Sequence, residues 1–150
     1  MTPVRNRRLA LHAGLATGAS LALPWRSARA CEVITTHLRI THPWARASGP
    51  GEDSAMVCMK FDDVTLTDRL VLVETPVARS AEMGGQGAAP QVNFVIPQGQ
   101  ETYLAEAATF VRLTGLNLPL EVGRSYPLRL GFEKGGTYNA VLSVDYPRFK

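Results

Sequence analysis

Apolar residues along 32–146 recur with a period of two, and turn formers interrupt them every 8 to 15 positions. No stretch holds the three-to-four spacing of an amphipathic helix. Glu32 to Ile40 is dense in β-branched residues and predicts a strand. Ser48 to Asp53 predicts a loop. From Ala55 to Phe61 the alternation places Val57, Met59 and Phe61 on a core face and Met56, Cys58 and Lys60 on the other. Arg69 to Thr75, Gln91 to Ile96, Thr102 to Ala105 and Thr109 to Leu113 follow as further strands. Ser125 to Phe132 and Thr137 to Tyr146 close the chain as a hairpin across Glu133-Lys134-Gly135-Gly136, because Gly-Gly supplies the positive φ of a tight turn. Ala78 to Gln91, with Gly84, Gly85, Gly87 and Pro90, offers little to bury and predicts a flexible loop. Seven to nine short strands at this spacing predict an all-β protein, an antiparallel β-sandwich or small barrel in one domain over 31–150.

The first 30 residues break this pattern. Arg5, Arg7 and Arg8 precede an apolar run from Leu9 to Leu23, and Ala28-Arg29-Ala30 ends the segment. A basic head, an apolar centre and a small-residue end make a cleavable export signal, which predicts a periplasmic protein. The run of 15 residues is short of the roughly 20 that span a bilayer. Arg7-Arg8-Leu9 also fits a twin-arginine signal, and the general and twin-arginine routes both stay open.

Removing the leader reverses the charge. The whole chain carries 16 basic and 13 acidic residues, but five arginines lie in the leader, so 31–150 has 11 against 13, a formal −2. That balance predicts no nucleic-acid partner. Both cysteines, Cys31 and Cys58, stay with the domain. In an oxidising compartment they could bridge. Cys31 as a new N-terminus could also stay free or carry lipid, although the residues before it lack the leucine-like position of a lipoprotein signal.

Candidate chemistry is sparse. No phosphate-cradling glycine loop leads into a helix, and no G-x-S-x-G is present. The domain has only His37 and His42 for acid–base work, so no enzyme is expected. Cys31, Cys58, Met56 and Met83 are soft groups of the kind that favour Cu(I). They form no spaced motif, and strand methionines commonly fill core gaps. Met83, in the expected loop, reads as the most exposed of them.

Ile40-Thr41-His42-Pro43-Trp44-Ala45-Arg46-Ala47 resembles the opening strand of the periplasmic PCu(A)C copper chaperone family. Thr75-Pro76-Val77-Ala78, Ile96-Pro97-Gln98-Gly99, Thr114-Gly115-Leu116-Asn117-Leu118-Pro119-Leu120 and Pro127-Leu128-Arg129-Leu130-Gly131-Phe132-Glu133-Lys134 continue the resemblance in order over about 38–146. It implies a cupredoxin-like (immunoglobulin-like) sandwich, copper handling for respiratory oxidase assembly, and a copper-handling partner. The family's ligands are a histidine in an E-L-H-E-M segment, an isolated methionine and a closing H-x-M. Those positions fall on Ala81, Ala88, Phe110 and Arg112. None donates an electron pair to copper. A guanidinium ~6 Å from a cation at an effective dielectric of ~20 costs about 3 kcal/mol. The resemblance therefore implies a copper-chaperone relative without the usual Cu(I) site and with no cofactor, unless Met83, Met56, Cys58 or Cys31 builds a relocated one. The alternative is a non-enzymatic interaction module that keeps the fold and binds a protein or an anionic ligand.

Overall fold

The structure is a computed structural model and describes residues 32–145. It contains β1 (Glu32–Ile34), β2 (Arg39–Arg46), β3 (Ser54–Asp62), β4 (Asp68–Glu74), β5 (Ala78–Gly85), β6 (Phe94–Ile96), β7 (Thr102–Leu104), β8 (Thr109–Leu116), β9 (Ser125–Phe132) and β10 (Gly136–Asp145). The strands form one curled sheet in the order β5-β8-β3-β2-β10-β9-β4-β6, with β1 added beside β2 and β7 beside β3. Its inner surface holds Ile40, Val57, Phe61, Leu70, Ile96, Val111, Leu113, Leu128, Leu130 and Leu142, each no more than 2% exposed. Phe61 lies edge-on to Phe132 at 6.3 Å, joining β3 to β9 across the core.

Every strand pair is antiparallel except β2 with β10, which run parallel from Trp44↔Ser143 to Arg46↔Asp145. The departure from a purely antiparallel sandwich has a local cause in β2. Its first half pairs with β1 and its second half with β10. The change of partner falls at His42-Pro43, where the register with β3 also slips. Pro43 has no N–H to offer a ladder, and His42 takes a φ of +51°. The His42 ring lies against Trp44, and its Nε2 meets Asp145 Oδ2 at 2.9 Å, tying the corner to the end of β10.

Two expectations from the sequence need correction. Glu32 to Ile40 is a hairpin, not one strand, because the Thr35 hydroxyl accepts hydrogen bonds from the His37 and Leu38 amides at 3.2 and 3.0 Å and folds the chain back. Ala78 to Gln91 is not a loop. Its first eight residues are β5, paired with β8 from Ala78↔Leu116 to Gly85↔Thr109. A turn at 86–88 then brings Ala89 back to form two backbone hydrogen bonds with Met83, at 2.9 and 3.1 Å. Gly84 and Gly85, which suggest a loop, serve as close-approach positions in this strand, and Gly87 lies in the turn that follows it.

Candidate functional site

The cross-strand pairs of β5, β8 and β3 define the face on which the expected ligand positions can be judged. Directly opposed residues of an antiparallel pair project to the same side. Ala81 opposes Leu113 and Met83 opposes Val111, and Val111 and Leu113 belong to the core. Glu82 opposes Arg112 and Gly84 opposes Phe110, so these four share the outer face. Met56 opposes Arg112 from β3 and joins them. Ala81 therefore does not stand with Phe110 and Arg112. The glutamate and methionine after it suggest that match by sequence, but strand alternation turns Ala81 toward the core and gives its cross-strand place to Gly84. Ala88 lies in the exposed turn after β5.

Phe110 occupies the space that Gly84 leaves open. A Cβ placed on Gly84 would stand 2.3 Å from Phe110 Cε2 and 2.8 Å from Cζ. Phe110 is 6% exposed although it belongs to the outer face. The Arg112 guanidinium lies 5.5 Å from the centre of the Phe110 ring, within cation–π range. Arg112 Nη1 also donates to Glu82 Oε1 at 3.4 Å, a long and half-exposed ion pair. Ring, guanidinium and carboxylate thus fill one patch where β5 meets β8.

The soft side chains do not converge. Met83 is 2% exposed on the core side, opposite to its expected exposure, because β5 is a strand. Met56 is half-buried on the outer face. Cys58 shares that face by alternation, yet it is also 2% exposed. It holds a free thiol that accepts from the Glu106 backbone N–H. Burial, aided by the Glu106 carboxylate, pushes this thiol up to about 11, against the opposing pull of Arg46. Cys31, the expected disulfide partner, lies outside the described residues, as does the export signal at 1–30. Among the described residues no group of three or more His, Cys, Asp or Glu side chains is placed to hold a metal ion.

A family profile described as "Putative lipoprotein LpqE-like" matches residues 38–144. The chain belongs to the LpqE-like family. A relative of this family member, "Putative lipoprotein Lxx21020" of Leifsonia xyli subsp. xyli, is 27% identical over 143 residues, covering 85% of this chain and 81% of its own. Among solved structures, the apo PCuAC domain from PmoF1 is 28% identical with a TM-score of 0.71, covering 77% of this chain and 99% of that domain. The copper-bound PCuAC domain from PmoF2 is 26% identical with a TM-score of 0.69, covering 77% and 98%. The Cu(I) form of DR1885 from Deinococcus radiodurans, 22% identical with a TM-score of 0.62 and covering 81% and 85%, shares the fold. The cupredoxin-like sandwich and the PCuAC resemblance of this LpqE-like chain are thus established, and the PmoF2 domain it resembles is one that binds copper.

Gly84 is the position that reasoning from sequence misses. The signal that could have found it is parity. A ligand on β5 must share a face with Phe110 and Arg112, and of the residues on that face Glu82 and Gly84 stand directly opposite them.

Proposed function

We propose that this LpqE-like protein is an exported, non-enzymatic member of the copper-handling group whose β5–β8 face carries no Cu(I) and serves as a contact surface for a protein partner. The observation that carries the reading is the Gly84–Phe110 pair. The ring fills the cross-strand gap where a donor would be needed, and Arg112 covers it with a fixed positive charge. The basic head, apolar centre and Ala28-Arg29-Ala30 ending of 1–30 support export, as does the word lipoprotein in the description of the family. With Arg112 paired to Glu82, the patch presents a compensated pair of charges beside Met56. That mixture suits a polar protein surface better than a free anion.

A competition between the purified protein and a Cu(I) chelator tests this. The expected result is that the chelator keeps the copper at one equivalent. Stoichiometric capture by the protein that survives Met83→Ala and Cys58→Ser but is lost on changing Phe110 and Arg112 would defeat the reading. Capture that vanishes with Met83 or Cys58 would return the protein to a relocated copper site.

A further inference from the structure

The curled sheet does not close on itself. β5 ends it on one side, and among the described residues the only bridge beyond that edge is Met83 to Ala89. Near the other end β6 covers Asp68 to Leu70 of β4 and no further. Residues 71–74 thus have β9 on one side and, among the described residues, no strand on the other. The connection at 75–77 joins these two open edges without pairing them. A groove of about 530 Å³ lies between them, with Val71 and Leu72 on the β4 side, Ala81 on the β5 side, and Pro90 and Val92 completing the apolar lining. An open edge presents a row of N–H and C=O groups that another strand can use.

Three charged residues line the groove, and two of them are compensated. Arg69 donates to Asn93 at 2.9 Å and meets Glu133 at 3.6 Å, and Glu74 is held by Arg129 at 3.2 Å. Arg79 has neither an ion pair nor a side-chain hydrogen bond among the described residues. Strand alternation puts it on the same side of β5 as Ala81 and Met83, toward the space between the two edges. Its stem lies over Gly115, where a Cβ would stand 2.7 Å from Arg79 Cβ and 3.5 Å from Cδ. The groove therefore carries one positioned and unpaired positive charge.

The geometry points to this groove as a docking site for an extended segment of a partner protein, which adds to the free edge of β5 as a strand and sets an acidic side chain against Arg79. Main-chain hydrogen bonds supply affinity in this mode, and alternate side chains supply selection. A guanidinium takes a carboxylate through two parallel hydrogen bonds. Charges on an edge ordinarily discourage pairing, and Arg79 makes that selective by repelling a basic strand and accepting an acidic one.

The probe is the blocked hexapeptide Thr-Val-Glu-Val-Ser-Thr, followed through the backbone amides of the full protein by two-dimensional NMR. The expected result is a saturable shift, with slowed amide exchange, centred on residues 79–82. Arg79→Gln, which keeps the stem over Gly115, should weaken binding about tenfold, the effect of one hydrogen bond to a charged group. Arg79→Glu should prefer the same peptide with lysine in place of its glutamate. Methylating alternate amide nitrogens of the peptide, on the side that faces β5, should abolish binding although every side chain is kept. Absence of saturable shifts in the wild-type protein, or shifts centred elsewhere, would overturn the proposal. So would unchanged affinity in Arg79→Gln, no preference for lysine in Arg79→Glu, or a methylated peptide that binds as before.

Discussion

Phe110 and Gly84 behave as one unit, because the ring occupies the volume a side chain on Gly84 would take. Gly84→Ala should therefore destabilise the fold by about 1–3 kcal/mol through overpacking, measured by urea denaturation. Phe110→Ala in the same chain should remove that penalty, so the two substitutions should couple strongly in a double-mutant cycle. Cys58 gives a second residue-level expectation. With burial holding its thiol near 11, iodoacetamide at pH 8 should leave it almost unmodified in the native protein and label it fully in denaturant. Rapid labelling of the folded protein would contradict its position. Much of this was open to a reader of the sequence. Val57, Met59 and Phe61 are core residues as the alternation of β3 requires. Cys58 departs from that alternation because the turn around Glu106 covers the outer face above it, and no local pattern near Cys58 reports a turn almost fifty residues away.

At the scale of elements, β2 is the corner of the molecule and β5 its least obvious strand. The His42-Pro43-Trp44 sequence was legible as a marker of the family, but its structural role was not. A change of strand partner depends on where β1 and β10 end, which no window around His42 contains. β5 was hidden for a related reason. Glycine and alanine have weak strand preference, and this strand exists because β8 offers it a ladder. Charge pairing along β3 yields a pH prediction. Asp62 is buried and accepts from Arg39 Nε at 2.5 Å, with Lys60 Nζ at 2.9 Å. The Arg39 hydrogen bond is the main influence holding its carboxyl below the usual range, and burial opposes it. A carboxylate depressed in the folded state adds stability above its unfolded value, and that stability is lost as pH falls through the folded one. Denaturation midpoints should accordingly fall as pH is lowered below about 4. Asp62→Asn should flatten part of that slope while lowering stability at pH 7. An unchanged slope in the variant would show that other carboxylates carry it.

The whole molecule keeps the sandwich of PCuAC domains, and the proposed difference lies in the chemistry of its β5–β8 face. The all-β sandwich and the PCuAC resemblance were visible in the sequence, because core alternation and turn chemistry are local and ordered motifs survive at 26–28% identity to solved relatives. The described residues hold ten strands where seven to nine were expected, since Glu32 to Ile40 divides between two strands and β5 has little local strand pattern. The candidate site was visible only in part. The resemblance sets Phe110 and Arg112 at the family's closing H-x-M, but the residue across the ladder from Phe110 is Gly84, which only the register of β5 with β8 identifies. The central claim is that this face cannot take Cu(I) because Phe110 fills it and Arg112 opposes a cation. Its most direct test is an anaerobic Cu(I) titration of the 15N-labelled protein, following the amides of Glu82, Gly84, Phe110 and Arg112. The account predicts that these four resonances stay in place at one equivalent of copper. Their joint movement, saturating at one equivalent, would contradict it.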